Sequence, residues 1–293
     1  MPGTFSDSWK LTKTSFRLIS EDRALLVFPL VAALSILAIL VLFLFGAVWV
    51  VPLTSLAGNT GTTYQVALVL MFLAMYFAVS WVSVVATAGL IGAATLKLNG
   101  KQPTAADGWR VARSRLGALT AWALIAATVG LLIQALARRV GGIAGTVIGV
   151  AGGATWGVMT YFMVPVILYE RGGAWRSLSR SGHLFISTFG RSLVSNLVLG
   201  LIIGAGVVAA VVIGFLGLFV LLGGTWVVGL VLIVAAVAIA LVVLLIGSAA
   251  EGVLRAALYR YATTGRVDPD LLPIPYQYAG AGPSPPPLAP PLP

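Results

Sequence analysis

Apolar residues follow one another along most of this chain in long unbroken runs, and the charged positions fall between them. Six runs stand out, roughly 24–51, 64–96, 116–137, 141–169, 192–222 and 225–250. Each reaches the length of a spanning helix, because about 20 residues rising ~1.5 Å each cross a hydrocarbon layer of about 30 Å. The runs show no period-two alternation, which excludes a lipid-facing β-barrel. Several exceed the minimum, which leaves room for tilt or for a helix that continues past the bilayer. The pattern predicts an all-α integral membrane protein with six transmembrane helices.

Composition agrees: of 293 residues, 59% are hydrophobic and 9% charged, with mean hydropathy +1.04, where a soluble domain carries about 25% charged residues. The first run is too long for a signal-peptide core, so the small-residue site at Ser55 and Ala57 is read as part of an uncleaved first span. With no cysteine and one histidine, His183, thiolate metal sites, disulfides and most triads are excluded, and no cofactor is expected.

The charges give direction. If Met1 starts inside, all 18 Lys and Arg except Arg138 and Arg139 fall on the inner side, as do all eight acids. That excess predicts both termini in the cytoplasm and a multi-pass protein of the cell membrane. The net +10 is then a basic skirt drawn to anionic headgroups. Nucleic-acid binding is not expected, because no soluble fold presents the charge.

Three of the inner segments resemble one another. Trp9-Lys10, Trp109-Arg110 and Trp175-Arg176 are each followed four or five residues on by a further cation, at Lys13, Arg113 and Arg180. In the first segment Phe5, Trp9, Phe16 and Ile19 gather on one side of a helical projection, and Lys10, Lys13 and Arg17 on another. Such helices lie in the membrane interface, aromatics toward acyl chains and cations toward phosphates. Gln102-Pro103-Thr104 starts the second, which runs to about Arg115, and 174–183 form most of the third. The domains are then an amphipathic segment 1–23, a six-span region 24–265 and a tail 266–293. The spans divide into three possible repeats, 1–98, 99–170 and 171–265, each an interfacial helix plus a hairpin. Trp and basic residues are common at any membrane interface, which explains the same pattern without a repeat.

Central portions of the runs carry no ionisable side chain, which speaks against ion-coupled transport. Gln134, Ser195 and Asn196 remain as a possible polar path, or as interhelical hydrogen-bonding groups worth about 0.6 kcal/mol each. Gly141, Gly145, Gly149, Gly153 and Gly157 recur every four residues in the fourth run. Successive members turn by about 40°, which makes a helix-packing groove against another span or a second copy. Pro29 and Pro165 each remove a backbone donor near the end of a run. Glu251 and Arg255 are spaced for a helix-surface pair. In the tail, seven of the last eleven residues are Pro, and 287–290 match PxxP, which points to disordered, extended chain.

Taken in order, several pieces form a larger pattern: Ser8-Trp9-x-Leu11, Leu25-Leu26-x-Phe28-Pro29, Pro103-Thr104 with Asp107-Gly108, Arg115-Leu116-Gly117, Trp122-Ala123-Leu124, Val164-Pro165-Val166, Glu170 and Arg180-Ser181. Over about 5–262 this order resembles a family of prokaryotic polytopic membrane proteins known only as a domain of unknown function. Where that pattern has a Thr-Trp pair, Thr188-Phe189 stands here. The resemblance implies a multi-span bacterial or archaeal protein and brings no activity or site residues with it.

Three functional classes follow. The first is a non-catalytic scaffold, assembly or envelope-organising component, with a second copy or another membrane protein as partner. The second is a passive or partner-energised permease for a small neutral or lipid-like molecule. The third and weakest is an enzyme using Asp107, Glu170 and His183, which no spacing links. A polar cavity lined by Gln134 or Asn196 distinguishes the second.

Overall fold

Helices account for the architecture. The computed structural model describes residues 24–56, 62–170, 174–187 and 189–264, and among these there are nine helices and no strand. They are α1 (Ala24–Leu56), α2 (Thr62–Leu98), α3 (Ala105–Arg113), α4 (Leu116–Val140), α5 (Gly142–Thr160), α6 (Met163–Tyr169), α7 (Ala174–Ser187), α8 (Phe189–Leu222) and α9 (Trp226–Thr264). Six stretches are long and apolar enough to cross a membrane, with α5 and α6 together making the fourth. This is an all-α, multi-pass membrane protein. Trp9, Lys10, Lys13 and Arg17, the first proposed interfacial segment, and the proline-rich tail lie outside the described residues.

Burial changes along the long helices. In α2, Val66, Val69 and Leu70 are exposed, whereas Val85 to Ala94 are mostly buried. In α9, exposed Val, Leu and Ile continue to Leu244, and burial dominates from Gly247 to Tyr259. Exposed aliphatic surface over about 20 residues is what a lipid solvent permits. At 39 residues, α9 measures roughly 58 Å, about twice the hydrocarbon thickness. Its buried third therefore has length enough to leave the hydrocarbon.

The described residues divide into two compact units. One comprises the described parts of 1–29, 94–103 and 184–293. Its centre is the α8–α9 hairpin, turned through Gly223-Gly224, with Thr225 Oγ1 donating to the Val220 carbonyl at 3.1 Å. The two helices touch where one of them lacks a side chain. A methyl on Gly206 would lie 2.9 Å from Val243, on Gly217 2.9 Å from the Ile233 nitrogen, and on Gly247 2.6 Å from Ile203. Where apolar burial against protein gains little over burial in lipid, close approach of this kind is what holds helices together.

The other unit takes in 30–93 and 104–183. There α4 and α5 form a hairpin whose turn, Gly141-Gly142, has φ of 67° and 55°, a left-handed geometry that glycine adopts without steric cost. Trp122 and Trp156 stack across the hairpin with ring centroids 5.8 Å apart. Helix α2 joins it through Trp81 Nε1, which donates to Thr120 Oγ1 at 2.8 Å, and Ser80 Oγ, which donates to the Ala123 carbonyl at 3.3 Å. Helix α3 lies on α2 where Gly92 offers no side chain, since a methyl there would come within 2.9 Å of Val111 Cβ.

The run 141–169, read from the sequence as one helix, is two. Helix α5 stops at Thr160, Tyr161 and Phe162 leave the ladder, and α6 begins at Met163. Pro165 is the cause. It has no N–H for the Tyr161 carbonyl four residues back, and its ring collides with that carbonyl in a regular helix. The break therefore falls one turn before the proline. Residues 174–183, expected to form most of a helix, do so in α7, which runs on to Ser187.

Candidate functional site

Breaking a helix frees backbone groups, and the Phe162 amide is one of them. It donates to Ser181 Oγ at 3.0 Å, and Ser181 is fully buried. The donor is thereby satisfied by a side chain on another helix, which ties α7 to the α5–α6 joint. One turn before it, Ser177 is 1% exposed and its hydroxyl has no partner. A second tie joins the C-terminal end of α6 to the middle of α7: Arg180 Nε donates to Glu170 Oε2 at 3.2 Å and to Oε1 at 3.3 Å. Both of these side chains are more than a third exposed, so solvent screening leaves this pair worth under about 1 kcal/mol.

Helix α3 begins with a reciprocal cap. The Asp107 amide donates to Thr104 Oγ1 at 3.3 Å, while Asp107 Oδ2 accepts from the Thr104 amide at 2.9 Å and from its hydroxyl at 2.7 Å. This satisfies the amides of Thr104 and Asp107, two of the free N–H groups at the helix start. Arg110 Nη1 donates to Asp107 Oδ1 at 2.8 Å. The Thr104 hydroxyl first and then the Thr104 amide hold the Asp107 carboxyl below its ordinary value of 3.8, against desolvation, with Arg110 adding to the lowering. Glu251 pairs with Arg255 one turn along α9. Arg260 donates to the Leu98 carbonyl at the end of α2, where a cation also meets the negative end of the helix dipole.

Every described carboxylate is thus engaged, Asp107 in a cap, Glu170 in a tie between helices and Glu251 in a pair within α9. Asp107, Glu170 and His183, raised as an acid–base set, are engaged separately: the first in α3's cap, the second with Arg180, while His183 is exposed on α7. Among the described residues no three His, Asp or Glu side chains are grouped so as to hold a metal ion.

Of the remaining sequence-selected residues, Gln134 is exposed on α4, and Ser195 and Asn196 lie in α8 with side chains outside the described residues. Trp109 is half-buried and Arg113 exposed on α3; Trp175 and Arg176 are exposed on α7. The glycine series separates. Gly141 is the turn residue; a methyl on Gly145 would collide with the Ala137 carbonyl; Gly149 is in ordinary contact with Ala137; Gly153 and Gly157 face open space. The glycine of α5 that meets Ile133, at 3.3 Å, is Gly152, outside the series. Ser177 and Arg260 carry no role in the sequence reading, and Ser181 enters it only through the Arg180-Ser181 pair of the family pattern. The available signal was two serines one turn apart among the apolar residues Leu178, Leu184 and Phe185 of an amphipathic helix.

Between α1 and α2 runs a groove of about 370 Å³ lined by Leu40, Phe43, Leu44, Met71, Phe72 and Met75. It is almost wholly apolar, as a lipid-facing seam is.

A family of unknown function, DUF6159, matches this sequence over residues 62–268. The chain belongs to that family. The DUF6159 match takes in α2 to α9, so the joint, the α3 cap and both hairpins all lie within it. It leaves out α1 and everything before it, so the Ser8-to-Pro29 part of the resemblance lies outside the family match. No curated protein and no solved structure matches the chain.

Proposed function

We propose that this member of DUF6159 is a non-catalytic membrane component that organises or assembles other parts of the cell envelope. It sits in the cell membrane with both termini in the cytoplasm. One observation carries the reading: Asp107, Glu170 and Glu251, the carboxylates of the described chain, each serve a helix cap or an ion pair. Side chains that would do proton chemistry in an enzyme or a coupled transporter are spent on fixing helices. The orientation rests on the distribution of Lys and Arg, with only Arg138 and Arg139, in the last turn of α4, at the far side.

The broken fourth span favours a second reading, passive movement of a neutral or lipid-like molecule, because discontinuous helices often line transport sites. Such sites lie near the midplane, however. The 19 residues of α5 already rise roughly 28 Å, which puts the break close to the edge of the hydrocarbon. Proteoliposome assays decide between the two. Efflux of a panel of neutral solutes and dithionite bleaching of labelled lipids should match protein-free vesicles. Protein-dependent movement that Asn196→Leu abolishes would overturn the scaffold reading in favour of the permease.

A further inference from the structure

The sequence treats α3 and α7 as equivalent interfacial helices. Their exposed faces differ. On α3 the exposed positions are Ala106, Arg110 and Arg113, with Gly108 and Ala112 buried and Trp109 half-buried. No large apolar side chain faces outward, and one of the cations is paired with Asp107.

On α7 the buried arc carries Ser177, Leu178, Ser181, Leu184 and Phe185. The opposite arc shows Trp175 at 82% and Ile186 at 69% exposure, with Ser179, His183 and Arg176 also exposed. At about 100° per residue, these five fall within roughly one quadrant, Trp175 and Ile186 at one edge and Arg176 at the other. An exposed Trp and Ile three turns apart beside a cation is unfavourable in water and suited to a headgroup boundary.

Depth comes from the joint. Ser181 accepts from the Phe162 amide, and Phe162 lies one hydrocarbon thickness along the span that begins at Gly142. The middle of α7 is therefore held at the level where the fourth span meets the headgroups, on the side carrying the chain's cations.

We propose that α7 is the chain's lipid-surface anchor. Trp175 and Ile186 sit in the headgroup–acyl boundary, Arg176 lies on the phosphates of anionic lipid, and α3 faces water. This rests on the basic-skirt part of the reading above. It is independent of whether anything crosses the membrane.

The absence of cysteine makes the test direct. Ser179→Cys on the exposed arc of α7 and Ala106→Cys on α3 are spin-labelled in the full chain. The protein is reconstituted into phosphatidylglycerol–phosphatidylcholine vesicles, and collision with oxygen and with a nickel chelate is measured. The label at 179 should favour oxygen and report a position about 5–10 Å below the phosphates, moving toward water when Trp175→Ala is added. The label at 106 should favour nickel. A nickel-favouring label at 179, or equal readings at both sites, overturns the anchor. For headgroup choice, a fluorophore at 179 is quenched by nitroxide-bearing phosphatidylglycerol or phosphatidylcholine. Preference for the anionic lipid should fall roughly fivefold in Arg176→Gln and weaken with salt. Equal quenching by both lipids in the parent overturns the anionic assignment. A positive flux assay would sink the scaffold reading and leave these outcomes untouched.

Discussion

Ser177 and Ser181 stand one turn apart on α7, both buried, yet the structure gives their removal opposite signs. Ser181→Ala deletes the acceptor 3.0 Å from the Phe162 amide at a fully buried site. A buried donor deprived of its partner costs about 1–3 kcal/mol. That exceeds the ~0.6 kcal/mol average for hydrogen bonds between membrane helices, because the site is fully buried. Ser177→Ala removes a buried hydroxyl that has no partner, so it should be neutral or stabilise by up to about 1 kcal/mol. Reversible unfolding in mixed micelles, followed by circular dichroism, gives both values. Hydrogen exchange of the peptide containing Phe162 supplies the local readout, with faster exchange in Ser181→Ala alone. Equal costs for the two variants, or unchanged exchange at Phe162, would refute the account of the joint.

Two other variants probe the glycines. A methyl on Gly229 would lie 2.5 Å from the Leu221 Cβ and backbone nitrogen, so Gly229→Ala should cost about 1–3 kcal/mol or more in the same assay. Gly157→Ala, with open space around it, should be neutral or stabilise by up to about 1 kcal/mol; a large loss there would show that its open face is occupied. The α3 cap should be acid-sensitive in one direction only. Because the folded Asp107 carboxyl lies below 3.8, its contribution is complete above that pH and is lost as pH falls through the lower folded value. The Asp107 amide resonance should therefore titrate with a midpoint below 3.8; a midpoint at or above it contradicts the cap, and Asp107→Asn should abolish the titration.

Much of this architecture was legible because lipid imposes a one-dimensional rule: about 20 apolar residues make a span. Runs 24–51 and 64–96 became α1 and α2 with only their ends adjusted. The start of α3 was legible too, since Pro103-Thr104 with Asp107 three residues on is a capping sequence. The break in the fourth span was harder to see. Pro165 was visible, but its effect is displaced by a turn and depends on a partner, Ser181, sixteen residues further along. The glycine series shows a related limit: only Gly145 and Gly149 meet another helix, at Ala137, within the chain. Period four on one helix reports a stripe, whereas close approach needs a matching surface on a second helix. The tight contacts at Gly206, Gly217, Gly229 and Gly247 are shared between α8 and α9 and have no common period. The roles of Ser177 and Ser181 were not legible because sequence does not show which face of α7 is covered.

The α8–α9 hairpin fixes what kind of change this protein tolerates. Its contacts at Gly217 and Gly229 lie near the turn, and those at Gly206 and Gly247 far from it. Adding or deleting a single residue between Gly229 and Gly247 would rotate everything beyond it by about 100°. Gly247 would swing away from Ile203 and a bulkier neighbour would take its place, with the near contacts intact. Such a hairpin accepts exchanges of one aliphatic residue for another along its lipid-facing sides but resists any alteration in length. Insertions and deletions among relatives should therefore collect in the connecting segments and spare these two helices.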